Sequence, residues 1–323
     1  MLQLHSIRLR RALAAVTVLS LGLWMGSALA QEGPLTLIVA FPAGGGVDRA
    51  ARIYAEKLGP ELKRTVVVDN RPGAGGMLAA RFVKSAPADG SVLLVTNSHP
   101  LTTIPHTTRD VGYDPFTDFQ PVANFVNFQD VLVATGEAKS FQEVRAWAKS
   151  YGKPVNIGVP APVSLPEFVA RTIGKELGVD SQPIPYRGAA PLVVDLLGGQ
   201  LELGIVTTTE ALAYGPSGKL KIIAVSNRTS MLPGVPSYAD IGLKGLEGAD
   251  FIGVLAPAGM AAATARRYAA AIQRVGAMPD VVAKLRDGGQ EVDNAAGSAF
   301  GDRMQQISRT TGALIRATGF KAE

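Results

Sequence analysis

The chain of 323 residues has no cysteine. That excludes disulfides, cysteine-ligated metal sites, a cysteine nucleophile and a lipid-modified N-terminal cysteine. Histidine is nearly absent too: beyond His5 near the N-terminus there are only His99 and His106, close together in one loop. A Ser-His-Asp triad or a histidine-rich metal site has little material to be built from. No dense Lys/Arg block occurs, which argues against a nucleic-acid surface. No second long apolar run follows the one at the N-terminus, so a soluble mature chain is expected.

The N-terminus carries Arg8, Arg10 and Arg11, an apolar run from Ala12 to Met25, and Ala28-Leu29-Ala30 before Gln31. This pattern is that of a secretory signal peptide cleaved after Ala30 at an A-x-A site, with an apolar part too short for a membrane span. The formal net charge of +5, less the three leader arginines, leaves +2 on the mature chain. That remainder is long enough for two α/β lobes.

The stretch around which the rest is organised is Leu35 to Leu58: an apolar strand, the turn Phe41-Pro42-Ala43-Gly44-Gly45-Gly46-Val47-Asp48, and a helix with Ala50, Ile53, Tyr54 and Leu58 on one face. Glycines at a strand-to-helix junction let backbone approach a ligand, and a helix start offers unpaired N–H groups and partial positive charge. The turn therefore suits an anion, though a glycine-rich turn that binds nothing has the same pattern. Thr65 to Asp69 reads as a buried parallel strand leaving through Asn70-Arg71-Pro72-Gly73-Ala74-Gly75-Gly76 into the helix Met77 to Lys84. Ser91 to Thr96 is a third strand, exiting through Asn97-Ser98-His99-Pro100, and the three exits are expected side by side at one sheet edge.

Residues 101–121 read as irregular, and Asp130 to Ala134 as a crossing strand. Ser140 to Glu143 and Ser164 to Glu167 are S-x-x-E capping boxes, the second at the exit of the strand Val155 to Val159. Strands at 183–186, 201–206, 221–225 and 251–257 follow, with a helix at 189–197 and three tail helices expected to pack on the first lobe. The simplest arrangement is a second lobe inserted into the first, joined by a two-strand hinge near 130–135 and 250–256. The expected division is a leader, 1–30; lobe 1, 31–132 plus 252–323; and lobe 2, 133–251. No internal repeat at a fixed period is visible.

The glycine turn, Asn70 to Gly76, Tyr113-Asp114-Pro115, Pro185-Tyr186-Arg187-Gly188 and Asp195-Leu196-Leu197-Gly198-Gly199-Gln200, taken in order and spacing, resemble the Bug family of periplasmic solute-binding proteins, which serve tripartite tricarboxylate transporters. The resemblance runs over nearly the whole mature chain. It implies a periplasmic-binding-protein fold of type II, two Rossmann-like lobes closing as a Venus flytrap, with no catalysis and no cofactor. It further implies a monomer in the periplasm that takes a small organic carboxylate (dicarboxylate, acidic amino acid or aromatic acid) and presents it to the membrane permease subunits. Carried over by position, the first-lobe site residues are Phe41, Ala43, Gly44, Gly45 and Asp48, with Thr96 and Ser98. Tyr186, Arg187 and Gly188 match the family's Tyr-Lys/Arg-Gly segment.

Two segments depart from the family pattern. The facing loop holds Pro160, Ala161, Pro162, Val163 and Ser164 where relatives are Ser/Gly-rich, and proline removes donors. The exit at Thr207, Thr208 and Thr209 lacks the usual Asp-Asn-like pair while keeping hydroxyls. These residues point to the family's general mode with a divergent ligand. Asp48 is expected either to brace the helix start or to accept from a ligand ammonium or bridging water. Phe125 and Phe128 are expected in the core more than against an aromatic ligand. The competing class, a secreted α/β enzyme acting on an anionic small molecule, is disfavoured because the glycine turn fits neither phosphate-binding fingerprint.

Overall fold

The computed structural model describes residues 33–246 and 250–322; the expected signal peptide and its cleavage site lie outside them. In β1 (Leu35–Val39), apolar residues occupy both faces of a strand, and the structure uses both. Leu35, Leu37 and Val39 join Tyr54 and Leu58 of α1 (Gly46–Leu62) in one core, while Ile38 and Ala40 join Ala79, Ala80 and Val83 of α2 (Met77–Lys84) in another. Alternation of side chains across a strand sends them to opposite helix layers.

β1 is flanked in parallel by β2 (Val66–Asn70) and β3 (Val92–Asn97), so the three strand exits do stand together. The full order of this sheet is β11-β4-β10-β3-β1-β2, in which β4 (Phe119–Phe128), β10 (Asp250–Pro257) and β11 (Glu291–Val292) form antiparallel pairs. β2 is thus an edge strand rather than the buried one its β-branched run suggests: Val67 is 43% exposed. Residues 101–121 are not all irregular. A π-helical turn spans His99–Thr103, the short α3 spans Ile104–Thr107, and β4 begins at Phe119.

The second sheet has the order β7-β6-β8-β5-β9, made of β5 (Asp130–Ala134), β6 (Val155–Val159), β7 (Ser181–Pro185), β8 (Leu203–Thr207) and β9 (Lys221–Val225). Here β6 lies between parallel β7 and β8, as β1 lies between β2 and β3. The helices are α4 (Phe141–Tyr151), α5 (Leu165–Leu177), α6 (Ala189–Leu197) and α7 (Thr208–Tyr214). Both lobes therefore repeat one β-α-β-α-β arrangement with the middle of the sheet aimed at the other lobe.

Only Gln129 separates β4 in the first sheet from β5 in the second. It is 4% exposed; its N–H and C=O bond the Thr208 hydroxyl and N–H, and its Oε1 accepts from Ser226 Oγ at 2.9 Å. The return crossing runs from β9 to β10. Beyond it, α8 (Ala262–Gly276) and α9 (Pro279–Arg286) pack on the first lobe, as expected of the tail. The last helix, α10 (Gly297–Ala317), differs: Phe300 and Met304 lie in the first lobe's core, whereas Leu314 and Ile315 lie in the second's. Among the described residues no helix is long and apolar enough to cross a membrane.

Phe125 is core, as expected: its ring stacks on Tyr54 at 3.9 Å, and Tyr54 Oη donates to the Phe125 carbonyl at 2.9 Å. Truncating such a buried aromatic ring costs about 3–5 kcal/mol.

Candidate functional site

The exits of β1 and β3 face those of β6 and β8 across a cavity of about 550 Å³. Three helices of ordinary length begin on its wall: α1 at Gly46 and Val47, α5 at Leu165 and Pro166, and α6 at Ala189 and Ala190. The amides of Gly46 and Val47 have no carbonyl partner among the described residues. Free amides at helix starts from both lobes make the cavity wall electropositive without a buried cation. Among the described lining residues the one cation is Arg49, exposed on the first turn of α1.

Why the first turn holds its shape is plain from Asp48, which is 3% exposed. Its Oδ2 accepts the Gly44 N–H at 2.8 Å, its Oδ1 accepts Asn70 Nδ2 at 2.9 Å, and Arg52 Nε lies 3.0 Å away. Burial works to raise its pKa, but the bonds from Arg52, Gly44 and Asn70 outweigh that and hold the carboxyl below its ordinary value. Gly44 sits at φ +84°, with open space where a side chain would be, so glycine is required by backbone conformation rather than by crowding.

Of the residues expected from sequence, Phe41, Gly44, Gly45, Ser98, Pro160, Ala161, Ser164 and Thr207 line the cavity. The others do not, each for a local reason. Ala43 is exposed on the turn, and Asp48 is turned inward to the Gly44 amide. Thr96 is fully buried in β3 opposite Gly253. Val163 is 37% exposed, and Arg187 points to solvent. Tyr186 Oη donates to Asp195 Oδ2 at 2.6 Å; burial first, then that carboxylate, pushes its pKa up to about 12. Gly188 donates its N–H to the Pro160 carbonyl at 2.8 Å, and the Thr208 hydroxyl accepts from Gln129 N.

The prolines of the second turn do not strip it of order. Ser164 caps α5, donating its Oγ to the Ala161 carbonyl at 2.6 Å, and Glu167 Oε2 accepts the Val163 N–H at 2.7 Å. Residues that sequence reasoning left out also line the cavity: Asn97, Asp130, Thr209, Glu210, Asp250 and Gln290, and Phe128, expected in the core, lines it too. Phe125 does not. His99 lines it as a neutral ring, because burial drives its pKa down to about 4. The one available sequence signal for Asp130 and Asp250 was their position as polar residues heading apolar strands.

Two mixed α/β lobes, joined at crossing strands and enclosing a cavity at facing strand exits, define a periplasmic binding protein. Similarity to solved structures agrees. The periplasmic binding protein BugD shares 29% identity with a TM-score of 0.77 over 90% of this chain and 99% of that one. An R. palustris protein solved with adipate shares 26% identity with a TM-score of 0.79, covering 90% and 98%. MatC from Rhodopseudomonas palustris, with bound malate, shares 25% identity with a TM-score of 0.74, covering 87% and 98%. The family described as "Tripartite tricarboxylate transporter family receptor" matches residues 50–320, and the chain belongs to it. Relatives by sequence include a UPF0065 protein from the tcbD-tcbE intergenic region of Pseudomonas sp. (strain P51), 31% identical over 93% of this chain and 91% of its own length. BugT of Bordetella pertussis is 32% identical over 70% and 71%.

Proposed function

We propose that this chain is an exported receptor that captures a small organic carboxylate between its lobes and presents it to the membrane subunits of a tripartite transporter, without catalysing a reaction. The observation that carries this reading is the convergence of the α1, α5 and α6 N-termini, from both lobes, on one cavity. Neutral, preorganised amides suit reversible capture, since they are paired in the bound state and rehydrated on release. The residues assigned to direct contact are Phe41, Gly45, Gly46, Val47, Ser98, Ala161, Ser164, Ala189, Ala190 and Thr207, with Asp48, Tyr186 and Gly188 as braces. Relatives solved with adipate and malate support a carboxylate of this size.

The export signal, cleavage after Ala30, a periplasmic monomer and lobes bounded at 132/133 and 251/252 belong to the same reading. Sheet membership supports those boundaries to within a few residues, since β4 ends at Phe128 and β5 begins at Asp130. The absence of catalysis in this reading rests on membership of a transporter receptor family.

Thermal-shift screening of mono-, di- and tricarboxylates, acidic amino acids and aromatic acids tests the reading. A ligand present at a hundred times its Kd stabilises the native state by about 2.7 kcal/mol, a clear rise in Tm. No rise with any of them at millimolar concentration refutes it.

A further inference from the structure

Three acidic side chains meet where the lobes join. Asp130 opens β5 opposite Thr207, which caps the helix carrying Glu210. Asp250 opens β10 opposite Phe128, two residues before Asp130 in the chain. All three line the cavity. Two have protein partners: Glu210 Oε2 accepts the Thr207 N–H at 2.9 Å, and Asp250 Oδ1 accepts the N–H groups of Ser98 at 3.2 Å and Phe251 at 2.7 Å. Asp130 is 8% exposed, and its carboxylate accepts a hydrogen bond from no described residue; only its main chain is engaged, with Ser226.

A second acceptor borders the same cavity. Gln290 is 4% exposed, and its Nε2 donates to the Gly46 carbonyl at 3.1 Å. That bond fixes which way the amide points and leaves Oε1 without a partner. Buried acceptors without donors are costly unless a ligand supplies the donor. The cavity thus has two unlike regions: free amides, Arg49 and the Gln290 amide at the α1 start, and the unpaired Asp130 carboxyl where the lobes join.

We infer that the hinge end of the cavity is a cation subsite: the ligand is a zwitterion whose ammonium is held by Asp130, with Asp250 and Glu210 beside it, while its carboxylate meets the helix N-termini. The inference rests on the carboxylate reading above and narrows its ligand class. A dicarboxylate lying the same way sets its second charge beside Asp250 and Glu210 and offers Asp130 no positive partner. Burial, then the charges of Asp250 and Glu210, push the Asp130 carboxyl up to about 8, so the empty cleft holds a proton there at neutral pH. Among the described residues no cation acts on Asp130 itself; the buried Tyr238 hydroxyl, which has no hydrogen-bond partner, feels its charge, and Arg303 acts on Asp250. An ammonium entering the subsite displaces that proton.

Calorimetric titration of the full mature chain with glutarate, valerate, δ-aminovalerate and norvaline, ligands of equal chain length, tests this. The better amino ligand is expected to bind at least about tenfold more tightly than glutarate and valerate, the discrimination of one charge-assisted pair. Its binding near neutral pH is expected to release a proton, read from buffers of different ionisation enthalpy. In Asp130→Asn the preference is expected to fall below about threefold. Glutarate or valerate binding as tightly as the amino ligands, proton uptake, or an undiminished preference in Asp130→Asn overturns the cation subsite and leaves carboxylate capture standing. Failure of both amino ligands at millimolar concentration, while any carboxylate of the wider thermal-shift panel binds, overturns the cation subsite alone; failure of that whole panel overturns both. The ranking in the unmodified protein decides the matter even where the variant folds poorly.

Discussion

The two turns that face each other across the cavity are built to one plan. Each follows the middle strand of a three-strand parallel set, β1 or β6, and each leads into a helix. In the first, Asp48 reaches back to the Gly44 amide and pairs with Arg52; in the second, Glu167 reaches back to the Val163 amide and pairs with Arg171, at 2.6 Å. The first is buried and tied further to Asn70, whereas the second is more open and holds a β-branched residue at φ +50°. The comparison teaches that the acid in each turn shapes the backbone that meets the ligand. It also sets both bracing acids apart from Asp130, which braces nothing.

The largest effect is expected from Asp48→Ala, which leaves the Gly44 amide and Asn70 unpaired in a buried place. A loss of about 2–4 kcal/mol in denaturant melts, with loss of carboxylate binding, is expected. The exposed Arg52 side contributes little of it. Because the Asp48 pKa is lowered in the fold, its contribution is present at neutral pH and disappears as pH falls below about 4. An unchanged melt in this variant removes the bracing role.

Asp130→Asn is expected to act in the opposite sense, raising the stability of the ligand-free protein at pH 8 by about 1–3 kcal/mol. A raised folded-state pKa means that the native state binds the proton more tightly than the unfolded chain does. The penalty for ionising is therefore absent below about pH 4 and grows as pH rises toward 8. Equal pH profiles for variant and parent between pH 4 and 8 contradict this account. Glu167→Ala is expected to cost about 1 kcal/mol, less than Asp48→Ala because the turn is open to water. If the two cost the same, the turns are equivalent in energy as well as plan. Smallest is Val163→Gly: relief of left-handed strain on a β-branched residue, offset in part by glycine's greater unfolded-state freedom, is expected to stabilise by about 0.5 kcal/mol in thermal melts.

Much of this was legible along the chain, because local chemistry decided it. Serine caps at Ser140 and Ser164, the glycine turn after an apolar strand, and the helix starting at Ala189 all appear where their patterns place them. β4 was hidden because Pro121 and the asparagines at 124 and 127 interrupt its apolar pattern. Pro121 is tolerated because β11 pairs only with 126 and 127, so the strand there needs no amide on that side. The repeated lobe topology has no fixed sequence period, since it resides in strand order and not in residue identity.

By itself the sequence determined two α/β lobes, a helix start suited to an anion and membership of a carboxylate-receptor family, because these depend on periodicity, caps and turns within short spans. Only the tertiary structure decided what lies across from what. Asp130 and Asp250 come from strands 120 residues apart in the chain and meet at the hinge because β4 and β10 pair in register there. The long α10 joins both cores for the same kind of reason, since its two ends pack on different sheets. No local rule can report a charge whose neighbours are supplied by another part of the chain.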